Sequence, residues 1–106
     1  MSWVWLVTAG LLEVAWSRSI KPTENFTRVL PTVLCLALAV AAVYPLTLAM
    51  RTIPAGTAYA VFVGIGAVGA IALGVIVDHD PLTPGRLAAL ALIVAGVILA
   101  RLVTAG

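Results

Sequence analysis

Long apolar runs separated by short polar connections make up nearly all of the chain. The runs cover about residues 3–20, 30–50, 55–77 and 87–103, and the connections between them read KPTENFTR, RTIP and DHDPLTPGR. Each run is close to the length of about 20 mainly apolar residues that a helix needs to cross a bilayer. The pattern predicts an all-α membrane protein with four transmembrane helices. Residues 1–106 then form a single transmembrane domain, with both termini on the same side.

The composition points to the same class of protein. Hydrophobic residues make up 63% of the chain and charged residues 9%, against roughly a quarter charged in soluble domains. We find no basic patch with interleaved aromatic residues, so a nucleic-acid partner is not expected. The N-terminus lacks a basic segment, and Glu13 interrupts its apolar stretch, which argues against a cleaved signal peptide.

The basic residues indicate only a weak preference for one orientation. The first and third connections with their flanks hold Arg18, Lys21, Arg28 and Arg86, and the opposite side holds Arg51 and Arg101. The positive-inside rule therefore favours cytoplasmic first and third connections. The margin is small enough to be compatible with insertion in both orientations.

Glu13 is the one carboxylate placed inside an apolar run. A charged side chain at the bilayer centre costs about 2.5–3.5 kcal/mol on insertion scales, so its presence indicates a function. Gly10 and Ser17 share a helix face with Glu13, and Trp16 follows one turn later. These residues predict an inward-facing site that binds a proton or a cation.

A structural ion pair is the alternative interpretation of Glu13. Arg18 lies about 140° round the helix from it, and Lys21 lies about 12 Å further along the axis. Neither is a good partner. The other polar groups in the middle of the runs are Tyr44 and Tyr59. One carboxylate with aromatic walls, hydroxyls and no basic residue suits a small cation.

The third run contains the sequence GIGAVG, which has the glycine spacing GxGxxG of a dinucleotide-binding motif. The pattern lies within an unbroken apolar run, where glycines allow close helix contact or bending. Gly64, Gly66 and Gly69 are therefore predicted as a bending point. Ala89 and Gly96 in the fourth run form a small-residue seam suited to dimer contact, with plain intramolecular packing as the alternative.

The chain offers no grouping of residues for enzyme chemistry. The tripeptide DHD at residues 78–80 is interpreted as a solvated turn, because three adjacent residues do not easily converge on one metal ion. No nucleophile–base pair is visible in the runs. We expect neither an enzyme, nor a cofactor, nor a metal site.

Several motifs resemble the small multidrug resistance family of bacterial four-helix transporters. These are LLEV around Glu13, FTR followed by Pro31, IPAGTAYAVF from Ile53 to Phe62, and AGV at residues 95–97. The resemblance covers essentially the whole chain. EVAW with Trp16, GIGAVG, and PLT at residues 81–83 resemble the guanidinium exporter branch of that family.

The resemblance implies antiparallel dimers in the bacterial inner membrane that exchange protons for a small cation. It implies that Glu13 of both subunits binds protons or guanidinium, that Trp16 and Tyr59 line the site with Phe62 nearby, and that the third-helix glycines form a kink. Ala42 stands where that branch usually has a serine, Phe62 where a tryptophan is expected, and Arg18 is an unusual charge.

These departures keep other functions open. The chain could form one half of a heterodimer with a paralogous subunit, or export a broader range of quaternary-ammonium cations. A membrane assembly protein without transport activity is the alternative from a different class.

Overall fold

The computed structural model describes residues 2–104, which form four long helices. They are α1 (Ser2–Ser19), α2 (Val29–Ala49), α3 (Ala55–Val77) and α4 (Pro84–Val103), with a short 3₁₀ turn at Lys21–Thr23. The predicted all-helical class is confirmed. The largest difference in the predicted bounds is the start of α4 at Pro84 instead of Leu87. The Thr83 hydroxyl caps the helix by accepting a hydrogen bond from the Arg86 backbone N–H at 3.2 Å, and proline suits the first helical position.

Within residues 2–104, α2, α3 and α4 are each long and apolar enough to cross a membrane. The first helix differs because it carries Glu13 and Arg18. Its 18 residues correspond to about 27 Å, close to the bilayer core of about 30 Å. Helix α1 is therefore long enough to span the bilayer core. Its Glu13 carboxylate must then be surrounded by protein rather than by lipid.

Helix α1 lies between α2 and α3 and packs along both, whereas α4 packs against α3. Most buried side chains of α1, α2 and α3 recur every three or four residues, so each of these three helices presents one face to the core. That core consists of Leu6, Ala9, Ala42, Leu46, Ala49, Ile53, Ala58, Val61 and Phe62. Ala42 is 1% exposed, and its methyl group packs within this cluster.

Contacts between helix ends show in which direction each helix runs. The Ser2 hydroxyl is hydrogen-bonded to the Thr52 hydroxyl, and the Arg101 guanidinium lies 5.0 Å from the centre of the Trp3 ring. The start of α1, the connection between α2 and α3, and the end of α4 are therefore together at one end of the molecule. Helices α1 and α3 run in the same direction and α2 and α4 in the other.

Candidate functional site

Glu13 lies half-buried on the face of α1 that packs against Gly66 of α3. A methyl group built at Gly66 would overlap Cγ of Glu13 and would lie 3.3 Å from its Cβ. The missing side chain at residue 66 is therefore what makes space for the glutamate side chain between the two helices.

The same interface contains two further contacts between a glycine and a larger side chain. A Cβ at Gly10 of α1 would lie 2.6 Å from Cγ2 of Ile65, and a Cβ at Gly69 of α3 would overlap Val14. At each glycine, the absence of a side chain on one helix makes room for a larger side chain of the other helix. Both backbones approach closely above and below Glu13.

The three glycines predicted as a bending point do not face the same neighbour. Gly66 and Gly69 face α1, whereas a Cβ at Gly64 would lie 2.8 Å from Cγ2 of Val97 in α4. Helix α3 is continuous from Ala55 to Val77 through this stretch. The glycines therefore allow close packing on two sides of α3, and their role as a bend stays a prediction.

Trp16 and Ser17 follow Glu13 on α1, and both are half-buried. The Ser17 hydroxyl donates a hydrogen bond to the Val14 carbonyl at 2.7 Å. Its hydrogen-bonding capacity is thus used within its own helix, and the side chain also lines a polar cavity beyond the end of α1. A direct contact between Ser17 and a bound cation stays a prediction.

Tyr59 and Phe62 are neighbours on α3 with ring centres 6.1 Å apart, but they have different surroundings. Phe62 is 5% exposed and belongs to the core, whereas Tyr59 is 57% exposed. Within one protomer Phe62 can act as a wall behind the site. Because Tyr59 is largely exposed in one protomer, a ligand beside it is enclosed only if a second subunit covers that side.

Arg18 forms a two-pronged ion pair with Asp78, with N–O distances of 2.7 and 3.1 Å. This hydrogen-bonded guanidinium lowers the pKa of the Asp78 carboxyl below its ordinary value. Because α1 and α3 run in the same direction, their C-terminal ends lie side by side, and the two residues meet there. Sequence reasoning missed this pair, although Arg18 in the last turn of α1 and Asp78 immediately after α3 were the available signal.

Glu13 lacks a basic partner within residues 2–104, where Arg18 and Asp78 form the sole ion pair with an N–O distance of at most 4 Å. The site thus consists of a half-buried carboxylate on α1, a glycine slot on α3, and aromatic side chains one turn away. Chemically, such a carboxylate can hold a proton or a small cation that arrives from outside the protomer.

Helix α4 has no buried side chain among its residues 84–103. Gly96 is exposed and lines a cavity of about 390 Å³ between α3 and α4, together with Gly64. Ala89 is exposed near the start of the helix. Both predicted dimer-contact residues are therefore accessible in the single protomer.

Comparisons with known proteins give a consistent result over nearly the whole chain. Residues 1–93 match the family described as Small Multidrug Resistance protein. The chain is 48% identical over 104 residues to a guanidinium exporter of Citrobacter freundii and to one of Salmonella typhimurium, covering 98% of this chain and 99% of each relative. It is 47% identical over the same length and coverage to a guanidinium exporter of Escherichia coli (strain K12).

Proposed function

The chain belongs to the Small Multidrug Resistance protein family, and we propose that it is a membrane transporter that exports guanidinium or small guanidinyl cations in exchange for protons. The observation that carries this proposal is Glu13, a carboxylate set against a glycine slot in a membrane helix with no basic partner in residues 2–104. The naming of relatives that are 47–48% identical over nearly their full length supports the substrate class. The proposed location is the bacterial inner membrane.

The chemistry of guanidinium fits a carboxylate site. Guanidinium is planar and carries N–H donors in a fixed fork, so it can form two parallel charge-assisted hydrogen bonds to one carboxylate. Trp16 can add a contact between the cation and its ring. A proton and the cation compete for the same oxygens, and this competition couples export of one to import of the other.

The functional unit we propose is an antiparallel dimer with one Glu13 from each subunit near the bilayer midplane. Two features support it. Helix α4 buries none of its side chains at residues 84–103, and the Tyr59 ring is largely exposed, so each protomer has surfaces for a second subunit to cover. Two adjacent carboxylates titrate as a coupled pair, which allows them to hold protons or one cation in turn.

Alternating access in this proposal uses the glycines of α3. Gly66 and Gly69 contact α1, and Gly64 contacts α4. A bend within residues 64–69 would change the position of Glu13 relative to α4 and to the second subunit that α4 contacts. The carboxylates would then be exposed to one side of the membrane at a time.

The direct test is transport by purified protein in proteoliposomes, with guanidinium flux driven by an imposed pH gradient. We expect Glu13→Gln to reduce proton-coupled flux to that of protein-free vesicles, and Glu13→Asp to retain part of it. Asp80→Asn, which removes an exposed loop carboxylate, is the matched control and should behave like the wild type. Full flux by Glu13→Gln would overturn the proposed role of Glu13, whereas no flux by the wild type, with or without a paralogous subunit, would favour a membrane assembly protein.

A heterodimer is the second candidate, because Ala42 is buried and lacks the hydroxyl expected in guanidinium exporters. If the chain needs a partner, it should transport nothing by itself, and a paralogous subunit should restore flux. If the missing hydroxyl is the cause, Ala42→Ser should raise guanidinium flux by the chain without a partner. Tetramethylammonium, tested in the same vesicles, shows whether quaternary ammonium ions are also substrates.

A further inference from the structure

A polar cavity of about 650 Å³ lies beyond the C-terminal end of α1, where the first connection meets the end of α3. Its charged lining residues are Arg18, Lys21, Glu24, Arg28 and Asp78. Because α1 and α3 end here, the cavity is at the level of the lipid headgroups and away from Glu13.

The lining leaves two cationic groups without an ionic partner. Arg18 and Asp78 neutralise one another through their two hydrogen bonds. Within the described residues 2–104, Lys21 and Arg28 have no carboxylate oxygen within 4 Å. Glu24 is the remaining carboxylate of the lining, so the cations outnumber the free anion.

The start of α2 adds positive potential at the same place. Arg28 is the residue that precedes α2, and this helix terminus has neither a side-chain cap nor an acidic residue in its first turn. The N-terminal end of a helix carries a partial positive charge and favours anions. Within the first turn of α2, no acidic side chain compensates this charge.

The first connection, which contributes Glu24 to this lining, has an unfavourable backbone conformation. Glu24, Asn25 and Phe26 have φ angles of 48°, 62° and 64°, a left-handed conformation that non-glycine residues seldom adopt in succession. The turn is closed by the Thr23 carbonyl, which accepts hydrogen bonds from the backbone N–H groups of Thr27 and Arg28 at 3.0 and 3.2 Å. Such strain is characteristic of functional segments.

We propose that this cavity binds a phosphate group through Lys21 and Arg28. Both side chains are phosphate ligands in proteins, Arg through its forked donors and Lys through its compact charge. The phosphate can belong to an anionic phospholipid headgroup or to a free phosphate ion, and the experiment below separates the two sources.

The test measures binding of phosphatidylglycerol to the purified, detergent-solubilised transporter by native mass spectrometry. We expect Lys21→Gln/Arg28→Gln to weaken binding by more than tenfold, since each cation near an anionic headgroup contributes about fivefold. Arg51→Gln/Arg86→Gln removes the same charge from residues outside the cavity and should leave binding nearly unchanged. Lys21→Arg/Arg28→Lys retains both charges and should bind like the wild type.

Inorganic phosphate, added at millimolar concentration, separates the sources. Displacement of the lipid at the wild-type site would identify free phosphate as a sufficient ligand, and failure to displace it would identify the lipid headgroup. Equal weakening in the two double-glutamine variants, or no binding of either probe by the wild type, would overturn the proposal. Neither result depends on guanidinium flux, so the test is independent of the proposed transport function.

Discussion

Replacing Gly66 with alanine tests whether the α3 slot holds the Glu13 side chain in place. The added methyl group would overlap Cγ of Glu13 and would lie 3.3 and 3.6 Å from its Cβ and Cδ. Either the glutamate must turn away from α3 or the two helices must separate. Both changes move the carboxylate from the position that the native packing gives it.

The magnitude follows from two opposing contributions. Alanine in a helix is favoured over glycine by about 1 kcal/mol. Overpacking a close interface typically costs about 1–3 kcal/mol. Gly56 in the same helix has no atom within 4 Å of an added Cβ, so Gly56→Ala experiences the first contribution without the second. We therefore expect Gly66→Ala to be less stable than Gly56→Ala by about 1–3 kcal/mol.

The assay compares the two variants in reversible unfolding in mixed micelles and in guanidinium flux per folded protein. Displacement of a reacting group by about 1 Å can lower a rate by about 100-fold. We expect flux by Gly66→Ala to fall by at least about tenfold, and Gly56→Ala to match the wild type. Equal stability and equal flux in the two variants would refute the reasoning that Gly66 positions Glu13.

Three further predictions concern contacts away from the site. The pKa of Asp78 is lowered by the Arg18 guanidinium, so the stabilisation from this pair is complete above the ordinary value of 3.8 and is lost as the pH falls through the lowered value. Thermal melts of the wild type and Asp78→Asn should accordingly differ near neutral pH and converge in acid, and a constant difference would contradict the assignment. His79 lies two residues after the end of α3 and has a φ of 57°, so His79→Gly should raise the free energy of unfolding by about 1 kcal/mol, and a loss of stability would contradict this. A double-mutant cycle of Arg101→Gln and Trp3→Leu should give a coupling of about 0.5–1 kcal/mol from the contact between guanidinium and ring.

The helices could be predicted from the sequence because their signals are local. Apolar runs of spanning length, with proline, glycine and charged residues between them, indicate the number of helices and most of their ends. Thr83 followed by Pro84 was also a local start signal for α4, and it explains the earlier start of that helix. The parallel direction of α1 and α3 follows from short connections between successive helices.

The orientation of side chains around α3 could not be predicted in the same way. That helix is apolar on every side, so no polar stripe distinguishes the face that packs inside from the face that lies outside. Tyr59 and Phe62 are one turn apart, and their exposures of 57% and 5% depend on where α1 and α2 pack. The pairing of Arg18 with Asp78 similarly depends on the alignment of two helix ends that are 60 residues apart in sequence.

Two features that are separate in the sequence, the carboxylate of α1 and the glycine cluster of α3, form one structural unit. The Glu13 side chain fits between α1 and α3 because α3 has no side chain at residue 66. That slot supplies space and not charge, since no basic group within residues 2–104 lies within 4 Å of the carboxylate. Because no protein cation in that part of the chain neutralises the Glu13 carboxylate, the carboxylate remains free to bind a proton or a cation that enters and leaves the site. The same stretch contacts α4 through Gly64, so movement of α4 can be transmitted to the helix that holds Glu13 in place.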